Sequence, residues 1–447
     1  MANIAVIGAG YVGLTTAACL AHLGHQVTAA DVDAGKVTEL SAGRLPIRED
    51  GLEDLVRAGL DSGLLRFLVG GPAAVSEAEF VFLCLPTPQA ADGSADLGYV
   101  SAAASEIAAH LRPGSVVINK STVPVGSVEL VTDLLGRPDV AVVSNPEFLR
   151  EGSAVHDCLH PARIVIGGHD RAAGARVAEL FAPLRPRLVL TDAASAETIK
   201  YACNAFLATK ISFINGVANL CEAVGADIGD VVEGMGLDPR IGFEFLQPGP
   251  GWGGSCLPKD TRAMVRIGED FGYDFALLRG VIEANQAQQD VVVRKVERMV
   301  GGALAGVTVA AWGLAFKAGT DDVRDSPAIA LLTRLALAGA KVQAYDPAVH
   351  RPVPGITAFD DPYAVCRSAD VLVVLTEWPE LASLDLSEVK ARLRSPRIVD
   401  ARNVLDAARA CALGFAYEGI GRRRWIGVDE LEELDLTGLE RTPDVHL

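Results

Sequence analysis

What the chain lacks narrows its function first. Its 447 residues contain no run of 18 or more apolar residues, so no membrane-spanning segment is expected. The cysteines, Cys19, Cys84, Cys158, Cys203, Cys221, Cys256, Cys366 and Cys411, form no CxxC pair and no His-flanked cluster. Neither a metal site nor a disulfide framework is therefore expected, and the cytoplasm is the simplest location. The opening MANIAVIGAG passes straight into an apolar run, without the basic region and cleavage site of a secretory leader. Positive charge is short as well: 40 Lys and Arg against 57 Asp and Glu leave a net charge of −17. No nucleic-acid partner is expected, because phosphate backbones are bound by basic surfaces. An anionic ligand must be met by local cations and backbone amides.

What is present has the make-up of a globular protein, with 50% hydrophobic and 22% charged residues, and its length implies two domains and a connecting element. From residue 4 to about 192, the segments IAVIGA, QVTAADV, FVFLCLP, SVVINKS, VAVVSNP, RIVIGG and RLVLTD alternate with helical stretches. Continuous apolar runs of this length suit parallel strands covered on both faces. SAETIKYACNAFLATKISFINGVANLCEAVG then reads as one helix, closed by Gly225. At about 30 residues it would be roughly 45 Å long, enough to bridge two domains or pair two subunits. From about residue 306 the alternation restarts with VTVAAWGL, VQAYDP, DVLVVLT and RIVDARN. The expected fold is α/β, with two Rossmann-like, doubly wound parallel-sheet domains joined by a long central helix. The acidic tail after Trp425 is expected to be poorly ordered unless it docks.

Gly8-Ala9-Gly10-Tyr11-Val12-Gly13 follows the first strand and opens a helix. The first glycine permits the turn, the second lets backbone approach a pyrophosphate, and the third lets helix and strand pack closely. The helix start then meets the phosphates with amides and a favourable dipole. Asp31 ends the second strand where a carboxylate would bond the adenosine ribose, and no Arg follows it to hold a 2′-phosphate, so NAD is expected over NADP. Lys36 reaches the same ribose or is simply a solvated helix lysine. Thr87 in CLPTP and Thr122 in NKSTVPVG stand at strand ends, where they face the nicotinamide half or serve as turn residues. Glu147 and Glu151 would share a face if their segment were helical, and Lys200 and Asn204 have the same spacing on the long helix. Carboxylates accept protons, while Lys and Asn stabilise an oxyanion. A capping pair and a solvated Lys-Asn stripe are the plainer alternatives.

GWGGSCLPKDTRAM carries the most specific chemistry. Its glycines allow close backbone approach to a ligand, and Cys256 sits where the chain turns into a helix expected near Pro258. A thiol at a helix start near Lys259 is in a setting that favours the nucleophilic thiolate. The other seven cysteines read as small buried hydrophobes.

Together the segments GAGYVGL, KSTVPVG, NPEFLREG, KYACNAFLATKISFIN, GWGGSCLPKD and FKAGTDDVRDSP resemble the UDP-glucose/GDP-mannose dehydrogenase family over most of the chain, in the family's order. The resemblance implies an NAD-binding Rossmann domain over 1–194, a central helical dimerisation region with the cysteine loop over 195–300, and a nucleotide-sugar-binding α/β domain over 301–447. It makes Cys256 the nucleophile, with Lys200, Asn204 and Asp260 around the reacting carbon and Thr122 and Glu147 in proton transfer. Glu151, Lys259 and Arg324 would approach the NAD. The loop Glu147, Phe148, Leu149, Arg150 and Glu151 would contact the substrate, as would Lys317, the Phe245-Leu246 to Gly249 loop, and Gly253. Arg240 would reach into the neighbouring subunit's site, so a homodimer with shared sites is implied. Gly216, Ala162 and Leu257 depart from the family's usual Glu, Asp and Phe, and none removes a catalytic group.

The expected reaction is a four-electron oxidation of a hexose 6-hydroxymethyl group to the acid through a thiohemiacetal and thioester on Cys256. UDP-glucose leads as substrate, with TDP-glucose, GDP-mannose or a UDP-N-acetylhexosamine as alternatives. A two-electron hydroxyacid dehydrogenase would need neither the GGSC segment nor a second α/β domain. A non-catalytic NAD-binding regulator would not need Cys256, Lys200 and Asp260 together.

Overall fold

The computed structural model describes residues 1–423. The acidic tail after Trp425 lies outside them. Contacts divide the chain into two units, one of Met1–Leu207 with Cys256–Arg279 and one of Ala208–Ser255 with Gly280 onward.

The first unit holds an eight-stranded sheet in the order β3-β2-β1-β4-β5-β6-β7-β8. The strands are β1 (Asn3–Ile7), β2 (Gln26–Asp31), β3 (Leu65–Val69), β4 (Phe80–Leu83), β5 (Val116–Asn119), β6 (Ala141–Ser144), β7 (Ile164–Gly168) and β8 (Leu188–Thr191). Alternate residues of β1 enter different cores: Ile4 and Val6 pack on one face of the sheet, Ala5 and Ile7 on the other. That two-sided burial is why the central strands read as unbroken apolar runs; β8 departs from the expectation, with Leu188, Val189 and Leu190 exposed although its run is equally apolar. The expectation of an all-parallel sheet fails at one seam, because β6 and β7 pair antiparallel. β7 and β8 are parallel to each other and so extend the sheet in the reverse direction.

The second unit holds a six-stranded, wholly parallel sheet in the order β11-β10-β9-β12-β13-β14. Its strands are β9 (Thr308–Trp312), β10 (Lys341–Tyr345), β11 (Thr357–Phe359), β12 (Val371–Val374), β13 (Arg397–Asp400) and β14 (Ala416–Glu418). Both sheets follow the doubly wound order, and both use one local device at the first strand's end. Gly8 (φ 96°) and Gly313 (φ 108°) donate to the carbonyls of Ala30 and Tyr345, each just before an aspartate. The aspartates then diverge. Asp31 accepts only Ala9 from that turn, whereas Asp346 is consumed by the amides of Leu314, Ala315, Ala348 and Val349. The second sheet thus keeps the dinucleotide-fold geometry while closing its ribose position with its own backbone.

The long helix runs Ala193–Val224. Its first half belongs to the first unit and its second half to the second. Gly216 lies on this helix where an added Cβ meets nothing, so its departure from the family pattern relieves no clash.

Candidate active site

The cofactor turn shows one use for each glycine. An added Cβ on Gly8 would lie 2.4 Å from the Cys84 carbonyl oxygen, and one on Gly13 would lie 1.8 Å from the Gly8 oxygen. Gly10 meets nothing within 4 Å. The outer two are demanded by the chain's own packing, and Gly10 is the open position a pyrophosphate needs. Tyr11, Val12 and Gly13 begin the helix Tyr11–His22. Asp31 accepts from Ala9 at 3.0 Å and from Lys36 Nζ at 2.8 Å. Burial opposes its charge, but Lys36 and the backbone donors outweigh that and hold the carboxyl below its ordinary value. Lys36 is therefore a partner of Asp31 rather than a solvated lysine. Thr87 Oγ1 donates to the Thr122 carbonyl at 2.9 Å, and both threonines are buried at adjoining strand ends.

The long helix brings together the groups expected to react. Lys200 and Asn204 are both buried, which excludes the solvated stripe. Lys200 Nζ reaches Glu147 Oε1 at 2.8 Å, and Asn204 Nδ2 reaches Asp260 Oδ2 at 2.6 Å. Lys259 Nζ takes the other oxygen of Asp260 at 2.5 Å, so much of its charge is spent on that carboxylate. Burial opposes the Lys200 charge, yet Glu147, Cys256 and Asp260 outweigh it and hold the ammonium above its usual range. Burial likewise opposes ionisation of Glu147, and Lys200, the Leu149 amide and Lys120 reverse that, leaving the carboxyl low. Half-buried Cys256 occupies the position just before the helix Leu257–Asp270, without a side-chain capping bond, and Pro258 lies in the helix's first turn. Leu257 replaces the family's usual Phe there without disturbing that start. None of the eight cysteines, all among the described residues, forms a disulfide.

Glu147 and Glu151 do not share a helical face. Residues 145–153 form no helix, and the next one begins at Ala154. Pro146 disfavours helical backbone before it, and Glu147 bends back to accept Leu149 N–H at 2.6 Å. Phe148 lies under the Arg163 guanidinium at 3.8 Å, with Lys200 Nζ 5.5 Å from the same ring centre. Arg150 pairs with Asp157 at 2.6 Å. The loop's far end is held by Glu49, a residue that no motif singled out. Buried Glu49 accepts from Gly152 N–H at 2.8 Å, from Ala154 N–H at 2.6 Å, and from the Tyr11 hydroxyl. It ties the cofactor turn to the loop that carries Glu147 and Glu151. Its only sequence signal was a carboxylate in an otherwise unremarked connection.

The remaining site residues lie in the second unit. Asn215 and Gln288 pin Gly249 through its N–H and carbonyl at 2.8 and 2.9 Å, and Asn285 clamps the Trp252 backbone in both directions. Phe245 takes a left-handed φ of 64°, an outlier for an aromatic residue, and Leu246 is buried beside it. Gly253 and Gly254 have their own reason to be glycine: a Cβ would lie 2.0 Å from the Asp325 oxygen and 2.7 Å from the Phe316 ring. The close approach expected for a ligand is thus an approach of the chain to itself. Lys317 Nζ lies 5.9 Å from the Phe316 ring centre. Arg324 pairs with Asp322, and Arg240, with a side chain 87% exposed, pairs with Asp238. Among the described residues no cluster of His, Cys, Asp and Glu could hold a metal ion, and no helix is long and apolar enough to cross a membrane.

Comparison with known proteins agrees with this arrangement. Residues 2–185 match the NAD-binding domain of the UDP-glucose/GDP-mannose dehydrogenase family, residues 194–287 its central domain, and residues 310–407 its UDP-binding domain. A UDP-glucose 6-dehydrogenase of Pseudomonas aeruginosa is 45% identical over 443 residues, covering 94% of this chain and 98% of the relative. The solved structure of a UDP-glucose dehydrogenase from Pyrobaculum islandicum is 38% identical, with a TM-score of 0.88 over 95% of this chain and 98% of that one. A UDP-D-ManNAc dehydrogenase from Pyrococcus horikoshii is 29% identical, with a TM-score of 0.85 over 94% of this chain and 99% of that one. With a dinucleotide turn, a buried Lys-Glu and Asn-Asp cluster beside a cysteine at a helix start, and all three domain matches in order, the chain belongs to the UDP-glucose/GDP-mannose dehydrogenase family, and its cofactor is NAD.

Proposed function

We propose that this chain oxidises the 6-hydroxymethyl group of UDP-glucose to the carboxylate of UDP-glucuronate, consuming two NAD and one water. The observation that carries this reading is the placement of Cys256 in the electrostatic field of Lys200, on the unit that carries the dinucleotide turn. Gly10 leaves room for the pyrophosphate and Asp31 receives the ribose hydroxyls. NAD held there by Gly10 and Asp31 would supply the hydride acceptor for each oxidation. Thr122 and Asp260 hold the water that takes the alcohol proton as the carbon becomes an aldehyde. Cys256 Sγ adds to the aldehyde carbon, and Lys200 and Asn204 stabilise the oxyanion. Loss of the second hydride leaves a thioester on Cys256. Glu147, ionised beside Lys200, takes a proton from the water that attacks it, and the thiol leaves as acid forms.

The substrate assignment rests on the relatives named UDP-glucose 6-dehydrogenase; TDP-glucose, GDP-mannose and UDP-N-acetylhexosamines are the competing substrates. We assign NAD binding to 1–194, dimerisation and the cysteine loop to 195–300, and nucleotide-sugar binding to 301–447. In that assignment Glu151, Lys259 and Arg324 approach the NAD, Glu147 to Glu151 contact the substrate, and Phe245 to Gly249, Gly253 and Lys317 hold the nucleotide sugar. The enzyme works as a cytoplasmic homodimer in which Arg240 completes the partner's site. The long helix supports the dimer by exposing Phe206, Phe213 and Leu220 seven residues apart, with Val224 one turn further. An activity panel of nucleotide sugars with NADH counted per sugar tests the reading. Two NADH per UDP-glucose is expected; one, or turnover confined to another sugar, overturns it.

A further inference from the structure

Three positions on the first half of the long helix share a face at steps of three and four residues: Glu197, Lys200 and Asn204, all buried. Two of them grip the reacting segments already described, Lys200 the Glu147 loop and Asn204 the helix of Asp260 and Cys256. Glu197 grips a third. Its carboxylate accepts Gly126 N–H at 2.8 Å and Val128 N–H at 3.0 Å, at the start of the helix Ser127–Leu135. That start closes the turn Thr122-Val123-Pro124-Val125-Gly126. At its other end the turn is fixed by the bond from Thr87 to the Thr122 carbonyl. Within it, Ser127 N–H and Oγ both donate to the Pro124 carbonyl, at 3.2 and 2.6 Å. A short turn held at both ends around a proline has little slack, so where Gly126 sits decides where Thr122 sits.

We propose that Glu197 is a positioning residue that binds the Thr122 turn to the long helix, so that Thr122, Glu147 and Asp260 are all aligned by one helical face. The inference rests on the proposed role of Thr122. A buried carboxylate is costly unless its oxygens are filled, and here helix-start amides and their dipole fill them instead of a cation. The titratable groups facing it are Glu129, one turn into the gripped helix and bonded to His169, and Tyr201 on its own helix, which also faces Asp260. Burial pushes the Glu197 carboxyl up to about 7, against the pull of the Gly126 and Val128 amides. Below that pH one oxygen carries a proton and becomes a much weaker acceptor for its N–H.

Glu197→Gln fixes the half-satisfied state permanently, since one amide oxygen accepts and the NH2 opposes the second N–H. The expected result is a kcat lowered about tenfold or more, with KM for NAD and nucleotide sugar within about twofold, and loss of the wild-type rise in kcat between about pH 6 and 8. A folded Gln variant with wild-type kcat and wild-type pH profile overturns the proposal. In parallel, wild-type protein labelled with 15N-glycine and 15N-valine should show the Gly126 and Val128 amide resonances moving together, with a midpoint near pH 7. Gly126 and Val128 resonances that are static with pH and also unmoved by Glu197→Gln overturn the grip itself, with no substrate needed. Because this arm reads no turnover, failure of the substrate assignment and failure of the Glu197 assignment are distinguishable.

Discussion

Lys200 Nζ lies 2.8 Å from Glu147 Oε1, across 53 residues of sequence, and the two side chains are only 4% and 6% exposed. Removing one partner of such a pair strands the other charge in a dry site, a loss of about 3–5 kcal/mol. Lys200→Met should therefore lower Tm clearly, and Lys200→Met with Glu147→Gln should recover part of that loss. The chemistry should respond differently. An absent oxyanion donor costs about a hundredfold to a thousandfold in kcat, which the second substitution does not restore. Thermal melts and steady-state kinetics on the three variants separate the effects. A Lys200 variant with unchanged kcat and only a raised KM would make Lys200 a binding residue.

The two buried glutamates should give opposite pH dependences of stability. Glu147 is held below its ordinary value of 4.5, so the native state binds fewer protons than the unfolded chain. Its contribution is whole above that value and is lost as the pH falls through the depressed native one. Glu197 is raised to about 7, so its native form favours the proton and stability is lost as the pH rises from 4.5 through 7. Tm measured from pH 4 to 9 should show Glu197→Gln gaining on the wild type across that upper window. A constant difference between the two curves would contradict the assignment.

Asp31 is already bonded to Ala9 and Lys36, which presents its carboxylate at the end of β2 with a fixed orientation. Asp31→Asn should raise KM for NAD about tenfold and narrow the preference over NADP, since repulsion of a 2′-phosphate disappears. Comparable wild-type kcat/KM with both cofactors would end this account of selectivity.

Most of the fold was legible because its strands are buried on both faces and so carry unbroken apolar runs. β3 escaped because Arg66 interrupts it at the sheet edge, where it bonds Thr28 Oγ1 at 2.8 Å. β11 and β14, three residues each at the edges of the second sheet, are too short to carry a pattern. The β6 to β7 reversal leaves no trace in either strand, since strand direction is set by the route between them rather than by composition. In the site, Cys256, Lys200, Asn204 and the glycine turn were legible because side-chain chemistry and spacing mark them. Glu49 and Glu197 were not: each serves backbone amides 69 to 105 residues away, and an amide leaves no mark in a sequence.

The exposed stripe on the long helix predicts its own disruption. If the proposed homodimer forms through this face, Phe213→Asp with Leu220→Asp should shift the protein from dimer to monomer in analytical ultracentrifugation and abolish most activity, because Arg240 would no longer reach a partner's site. Mixing Arg240→Ala chains with Cys256→Ala chains should restore some turnover through hybrid dimers. No recovery after demonstrated subunit exchange would show that each site is complete within one chain.

Cys256 is the residue on which the thioester route stands or falls. A free thiol with a pKa of about 8.5 is only a few per cent thiolate at neutral pH, so it needs cationic surroundings or a base. Lys259 is paired with Asp260 and Lys200 with Glu147, so each cation acts on Cys256 with its charge partly offset, alongside the start of the helix Leu257–Asp270. Removing the sulfur leaves the dinucleotide turn, Asp31 and the Lys200–Glu147 pair untouched, so NADH binding to Cys256→Ala should stay within about twofold of wild type. What disappears is the covalent route from aldehyde to acid, and the variant should form essentially no uronic acid. Cys256→Ser keeps an oxygen nucleophile and should trap a slowly hydrolysed ester. Slowing hydrolysis with Glu147→Gln should reveal, by intact-mass measurement under turnover, a substrate-sized adduct on the peptide that contains Cys256. If Cys256→Ala still made the acid near the wild-type rate, with two NADH per sugar, the aldehyde would have to be oxidised as its hydrate, and Lys200 and Asn204 would then be stabilising an oxyanion with no bond to the protein.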